Sequence, residues 1–187
     1  QFQDRFSMPG KFVNAIANDE DLKFIITEGV NGAYGDVFII EDSLHNHHIQ
    51  SGGAIPGETS DVQMHKIGNE WRILHSVYNP INKTTTVRVY DQGGSILNTH
   101  IFQGKFHKAK LIPDSLSIRK VYFTEHPPYS EQVDKTNIYV IDLQSGDQIL
   151  SNGSMPGSYN THTVSGNELK VTTNFAGQDL EQIFVLP

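Results

Sequence analysis

The sequence predicts an all-β chain made of four consecutive units of four antiparallel strands, and three observations carry that prediction. Short runs rich in Val, Ile, Phe, Tyr and Thr recur along the chain, each bounded by Gly, Pro, Asn or Asp, as in "LKFIIT" (residues 22–27), "TTVRVY" (85–90), "KVYFT" (120–124) and "NIYVID" (137–142). Such residues suit a pleated, half-buried surface. No window offers an apolar stripe of helical period over ten residues, the best attempt near 15–22 being broken by the polar run 18–21. Finally, the tetrapeptide "SMPG" occurs twice, at residues 7–10 and 154–157, and further corners fall at Pro56-Gly57 and Gln103-Gly104. These corners are spaced by about 45 residues, the period of a repeat built from one four-stranded sheet.

The units run in the same order. After each corner comes a first strand (12–17, 61–67, 107–112, 160–165), then a polar turn and a second strand (22–28, 71–77, 118–125, 169–175). A variable loop leads to a third strand (37–41, 86–91, 138–143, 181–186), and a fourth strand (48–51, 96–102, 148–152) returns to the next corner. The last unit lacks its fourth strand, and residues 1–6, "QFQDRF", followed by "SMPG", supply the missing piece. Four antiparallel strands per unit at this period is the pattern of a propeller blade. The expected fold is therefore a single four-bladed β-propeller domain over residues 1–187. Its blades cover about 11–57, 58–105, 106–157, and 158–187 together with 1–10. The N-terminal strand completes the last blade and removes an exposed sheet edge.

Composition narrows the partners. The 187 residues are 37% hydrophobic and 19% charged, with a formal net charge of −7. No basic excess favours nucleic acid, and no apolar run is long enough for a membrane span. The chain has no cysteine, so disulfides, thiol nucleophiles and thiolate metal sites are excluded. The motifs G-x-S-x-G, H-E-x-x-H, the P-loop and G-x-G-x-x-G are all missing, which leans away from an enzyme. Two sequons, Asn82-Lys83-Thr84 and Asn152-Gly153-Ser154, are short enough to arise by chance.

The hairpin "IYVIDLQSGDQIL" (138–150) resembles the repeats of bacterial YVTN and TolB-like propellers, in which an apolar strand ends in Asp, crosses a short Gly turn and returns apolar. "VRVYDQGGSIL" (87–97) is a shorter version, whereas the first unit, "VFIIEDSLHNHHIQ" (37–50), replaces the Gly turn with residues 44–48. The resemblance implies a propeller scaffold. With the lack of cysteine and the start at Gln1, it sets an expectation of an extracytoplasmic protein.

On a propeller, the corners share a face with the loops between second and third strands, here 29–35, 78–83, 126–136 and 176–179, which carry Tyr34, Tyr78, His126 and Tyr129. Long loops on a rigid scaffold are where binding residues tend to lie. Polar residues at the strand ends of that face define a candidate ligand site at the channel mouth: Asn14, Glu28, Asp61, His75, His107, Glu125 and His162. No cofactor is expected, although carboxylates with histidines about an axis could hold a divalent cation or act as an acid/base pair. The run His45-Asn46-His47-His48 is expected in a solvated hairpin turn, because adjacent residues on a strand point to opposite faces. The expected function is that of a binding or interaction module for a protein, a small molecule or a glycan. The alternatives are a hydrolase or lyase acting at the mouth, and a carbohydrate-binding propeller using the loop tyrosines.

Overall fold

In a computed structural model of the chain, the structure describes residues 10–17, 22–29, 34–43, 46–51, 53–113, 118–126 and 134–186. The described elements are all strands, arranged in four antiparallel sheets that follow one another along the sequence. The first sheet contains β1 (Lys11–Ala17), β2 (Leu22–Glu28), β3 (Tyr34–Ser43), β4 (Asn46–Ser51) and the short β5 (Ile55–Pro56), which pairs with β3. The second contains β6 (Glu58–Ile67), β7 (Glu70–Asn79), β8 (Thr84–Tyr90) and β9 (Ile96–Gln103). The third contains β10 (Lys105–Pro113), β11 (Ile118–His126), β12 (Lys135–Asp142) and β13 (Gln148–Pro156). The fourth has three described strands, β14 (Ser158–Ser165), β15 (Glu168–Phe175) and β16 (Gln178–Val185). Residues 1–6, expected to add a strand there, lie outside the described residues.

The corner glycines set the geometry of every sheet. Gly10, Gly57, Gly104 and Gly157 all have positive φ, between 90° and 124°, a conformation that costs residues with a Cβ. Each precedes the first strand of its sheet, and the next residue pairs with the end of the second strand: Lys11 with Glu28, Glu58 with Tyr78, Lys105 with Glu125, Ser158 with Asn174. The register then slips at one place in every sheet, between Phe12 and Asn14, Thr59 and Asp61, Phe106 and Lys108, Tyr159 and Thr161. A bulge three residues after each glycine thus re-aims the first strand in the same way four times. Threonines hold the corners: Thr85 donates to the Gly104 carbonyl and Thr136 to the Gly157 carbonyl, both at 2.8 Å, while Thr124 and Thr173 donate to the carbonyls of Gln103 and Pro156.

Consecutive sheets pack face to face: β3 lies on β6 and β7, β10 on β7 and β8, and β14 on β11 and β12. Alternation along each strand supplies both faces. In the second sheet, Ile73 and Tyr90 pack toward Ile16 of the first, and Leu74, Val87, Val89 and Phe102 pack toward Tyr122, Tyr139 and Ile141 of the third. Phe102 and Tyr139 stack at 4.1 Å between ring centroids. Val121, Phe123, Ile138 and Val140 face Leu169 and Val171 of the fourth sheet. Apolar area removed from water on both faces of the middle sheets is the main cohesive term.

Several loops are shorter than the sequence suggests. Tyr34 and Tyr78 lie in β3 and β7, so they are not loop residues. The expected loop 176–179 is a two-residue turn in which Ala176 and Gly177 have φ of 51° and 80°, and β16 begins at Gln178. Asn46, His47 and His48 belong to β4, paired in register with Ser43, Asp42 and Glu41. The expected hairpin turn at 44–48 is therefore tighter, because backbone pairing continues to Asn46. His45 and Tyr129 lie outside the described residues, as do the side chains of His47, His48 and His126.

Candidate functional site

Bulge and alternation together decide where the polar strand-end residues go. His107 is the bulged residue of β10, Asp61 stands one place further along β6, and His162 one place further again along β14. Asp61 therefore joins the interface of the second and third sheets, whereas His107 and His162 meet at that of the third and fourth. The side chains of Asn14 and Glu28 lie outside the described residues, although the backbone of Glu28 pairs with Lys11 as that of Glu125 pairs with Lys105.

His75 is fully buried at the interface of the first two sheets. Its Nε2 lies 3.0 Å from the Thr59 hydroxyl, and its Nδ1 has no hydrogen-bond partner among the described residues. Burial, with the nearby Arg88 cation, holds this imidazole neutral with a pKa near 3. Gly35 makes room for it, since a Cβ there would stand 3.2 Å from the His75 ring and closer still to Thr59. His75 is thus a packed core residue.

Asp61 turns to the interface of the second and third sheets. It is raised above the usual carboxylate value by burial, opposed by a hydrogen bond with Gln63 and by the charge of Lys120. Lys120, on β11, is 1% exposed. Its ammonium donates to Gln63 Oε1 and, at 3.0 Å, to His65 Nε2. The bonding requires His65 to be neutral with its proton on Nδ1. Burial and Lys120 together lower His65 to about 4, and burial lowers Lys120 to about 8. Sequence alone misses this triad, because Gln63 and His65 alternate on one face of β6 while their partner comes from a strand more than fifty residues away.

The third interface gathers three of the expected residues. His107 Nδ1 lies 3.4 Å from Glu125 Oε2. The other carboxylate oxygen accepts the Tyr159 backbone N–H at 3.0 Å. The Tyr159 hydroxyl is 2.6 Å from His162 Nδ1, and the Tyr159 ring contacts those of His107 and Phe123. Burial raises the Tyr159 phenol, and burial followed by the charges of Lys108 and Lys110 lowers His162. A neutral imidazole accepting from a protonated phenol fits both directions. Glu125 and His162 are partly exposed and His107 is exposed, so the group meets solvent at the corner end of the third and fourth sheets. It offers a carboxylate, two imidazoles, a phenol and aromatic edges to one bound molecule. Tyr159 was not apparent as a site residue from the sequence; its place two residues after Gly157, matching Phe12, Thr59 and Phe106, was the available signal.

Among the described residues, no cluster of three or more His, Asp or Glu side chains has the arrangement of a metal site, and no helix is long and apolar enough to cross a membrane. No family model matches the chain, and no curated protein matches it significantly.

Proposed function

We propose that the chain is a four-bladed β-propeller serving as an extracytoplasmic binding module, with residues 1–6 completing the last blade. The support for the scaffold is the fourfold recurrence of a left-handed glycine, a register and a bulge, with each sheet packed on the next. The observation that carries the binding reading is the meeting of His107, Glu125, Tyr159 and His162 where two sheets open to solvent. Their side chains are oriented by one another and by Phe123 before any ligand arrives, which lowers the ordering cost of binding. In this reading the partner is a protein segment, a small molecule or a glycan, and the protein needs no metal. The test is a ligand screen followed by NMR on the histidine ring resonances, against the Glu125→Gln and Tyr159→Phe variants. Ligands that shift His107 and His162, and bind at least about tenfold more weakly to either variant, are the expected outcome. Ligands found only at other surfaces would overturn the assignment.

A further inference from the structure

Beside this group runs a strand of unusual charge. In a chain of net charge −7, β10 reads "KFHKAKLIP" and carries Lys105, Lys108 and Lys110 as well as His107. All four are exposed. Lys108 and Lys110 pair in register with Phe123 and Val121, residues packed toward the fourth sheet, so both lysines stand on the side facing β14. Lys108 Nζ lies 5.8 Å from the centroid of the Tyr159 ring. Neither lysine has a carboxylate within 4.0 Å among the described residues, whereas Glu125 is engaged by His107 and by the Tyr159 backbone. Two ammonium groups thus stand beside the His162 imidazole on the side of β10 that faces β14, with no carboxylate within 4.0 Å of either among the described residues.

We propose that the exposed side of β10 facing β14 binds an oxyanion, the phosphate group of a small ligand, through Lys108, Lys110 and His162, with the Tyr159 hydroxyl at its edge. This rests on the binding reading above and names its ligand class. The physical cause is local: two lysines on one face of one strand make a positive spot in an acidic molecule, which steers an anion to that spot and away from the remainder of the surface. Compact ammonium groups suit phosphate as point charges. Burial first, and then the charges of the same two lysines, lower the pKa of His162, so part of that shift comes from their potential. An anion bound there would offset it and let the imidazole take up a proton, with Lys108, Lys110, His107, Glu125 and Tyr159 as the charged and titratable groups around it.

The test is calorimetric titration of the whole chain with inorganic phosphate, glucose 6-phosphate and, as a neutral control, glucose, with His162 followed by NMR. The expected result is binding of glucose 6-phosphate that weakens at least tenfold in Lys108→Ala/Lys110→Ala, weakens with added salt, and raises the His162 pKa. Because both lysines are exposed, the double variant should keep its melting temperature, so lost binding is not lost folding. Binding of inorganic phosphate alone with equal strength would place the recognition in the free anion, and preference for the ester would place it in a phosphorylated metabolite. Both support the oxyanion site. Absence of binding by either phosphate, or equal affinity in the double variant, overturns it. Neutral ligands that shift His107 and His162 while phosphate does not would overturn the oxyanion and leave the binding site standing. Silence of these histidines to every ligand would overturn both.

Discussion

His75, His65 and Lys120 are polar groups that packing has placed where water cannot solvate their charged forms. The consequence is a stability that depends on pH in two windows. Both histidines have folded values depressed below the ordinary 6.5, to about 3 for His75 and about 4 for His65. Between those values and 6.5 the unfolded chain binds more protons than the folded one, so stability must fall as the solution is acidified below pH 6.5. The loss is complete near pH 4 for His65 and near pH 3 for His75. Urea unfolding at pH 7 and pH 5 should show a clear drop, smaller in His65→Gln, where the amide still accepts from Lys120. Lys120 has the same sign in a second, alkaline window. Its folded value, about 8 against 10.5, means that its buried charge weakens the fold at neutral pH and that stability is regained as pH rises from about 8 toward 10.5. A comparison at pH 7.5 and 9.5 checks the rise, and Lys120→Met should abolish it. The same variant should itself cost about 3 kcal/mol, because it strands Asp61, Gln63 and His65 without their buried partner.

At the scale of the element, the corner and the bulge after it are the repeated unit, and they explain what could be foreseen. The corners at 10, 57, 104 and 157 are legible because glycine and proline mark turns directly. The bulge at Val13, Ser60, His107 and Asn160 is not, since no common residue type marks it. The first strands could therefore be recognised while the facing of Asp61, His107 and His162 could not. The turn lengths failed for a related reason: Ala176 takes a left-handed φ normally left to glycine or asparagine, so a two-residue turn looked like a longer loop. The glycines yield a contrast that tests the geometry. A Cβ at Gly57 or Gly157 would collide with the backbone carbonyl of Tyr78 or Asn174, in addition to the strain of positive φ. Gly68 and Gly166 also have positive φ, but nothing lies within 4 Å of the added carbon. Gly157→Ala should cost about 2–3 kcal/mol in chemical denaturation, and Gly166→Asn less than about 1 kcal/mol, since asparagine tolerates this conformation. Similar costs at the two sites would reject the corner as the constrained point. Thr136→Val, which removes the donor to the Gly157 carbonyl, should add about 1 kcal/mol of destabilisation.

The whole molecule is a succession of sheets with two ends. Within the succession, the second and third sheets each use one face for the preceding sheet and the other for the following one, and the division into four strand-built units was readable from the period. What was not readable is the chemistry at each interface, because Lys120 meets Gln63, and Tyr159 meets Glu125, only once sheets have packed. The ends carry apolar side chains that no described sheet covers. Phe12 matches Phe106 and Tyr159, which face the preceding sheet, and it is 61% exposed. Ile183 and Val185, paired with Lys170 and Glu168 on the face of the fourth sheet turned away from Leu169 and Val171, are 55% and 62% exposed. In a closed propeller these two faces would meet, as the faces of the other sheets do, and residues 1–6 would lie along β16. Closure therefore predicts a cost for polar substitution at positions that are exposed in the open succession. Ile183→Ser/Val185→Ser should lose about 2–4 kcal/mol of stability, the order expected for two apolar side chains removed from water. Removal of residues 1–6 should lower the melting temperature and the solubility, by leaving β16 an unpaired edge. If the double serine variant and the truncated chain both melt and dissolve like the parent, the ends do not meet and the ring is not closed by this chain.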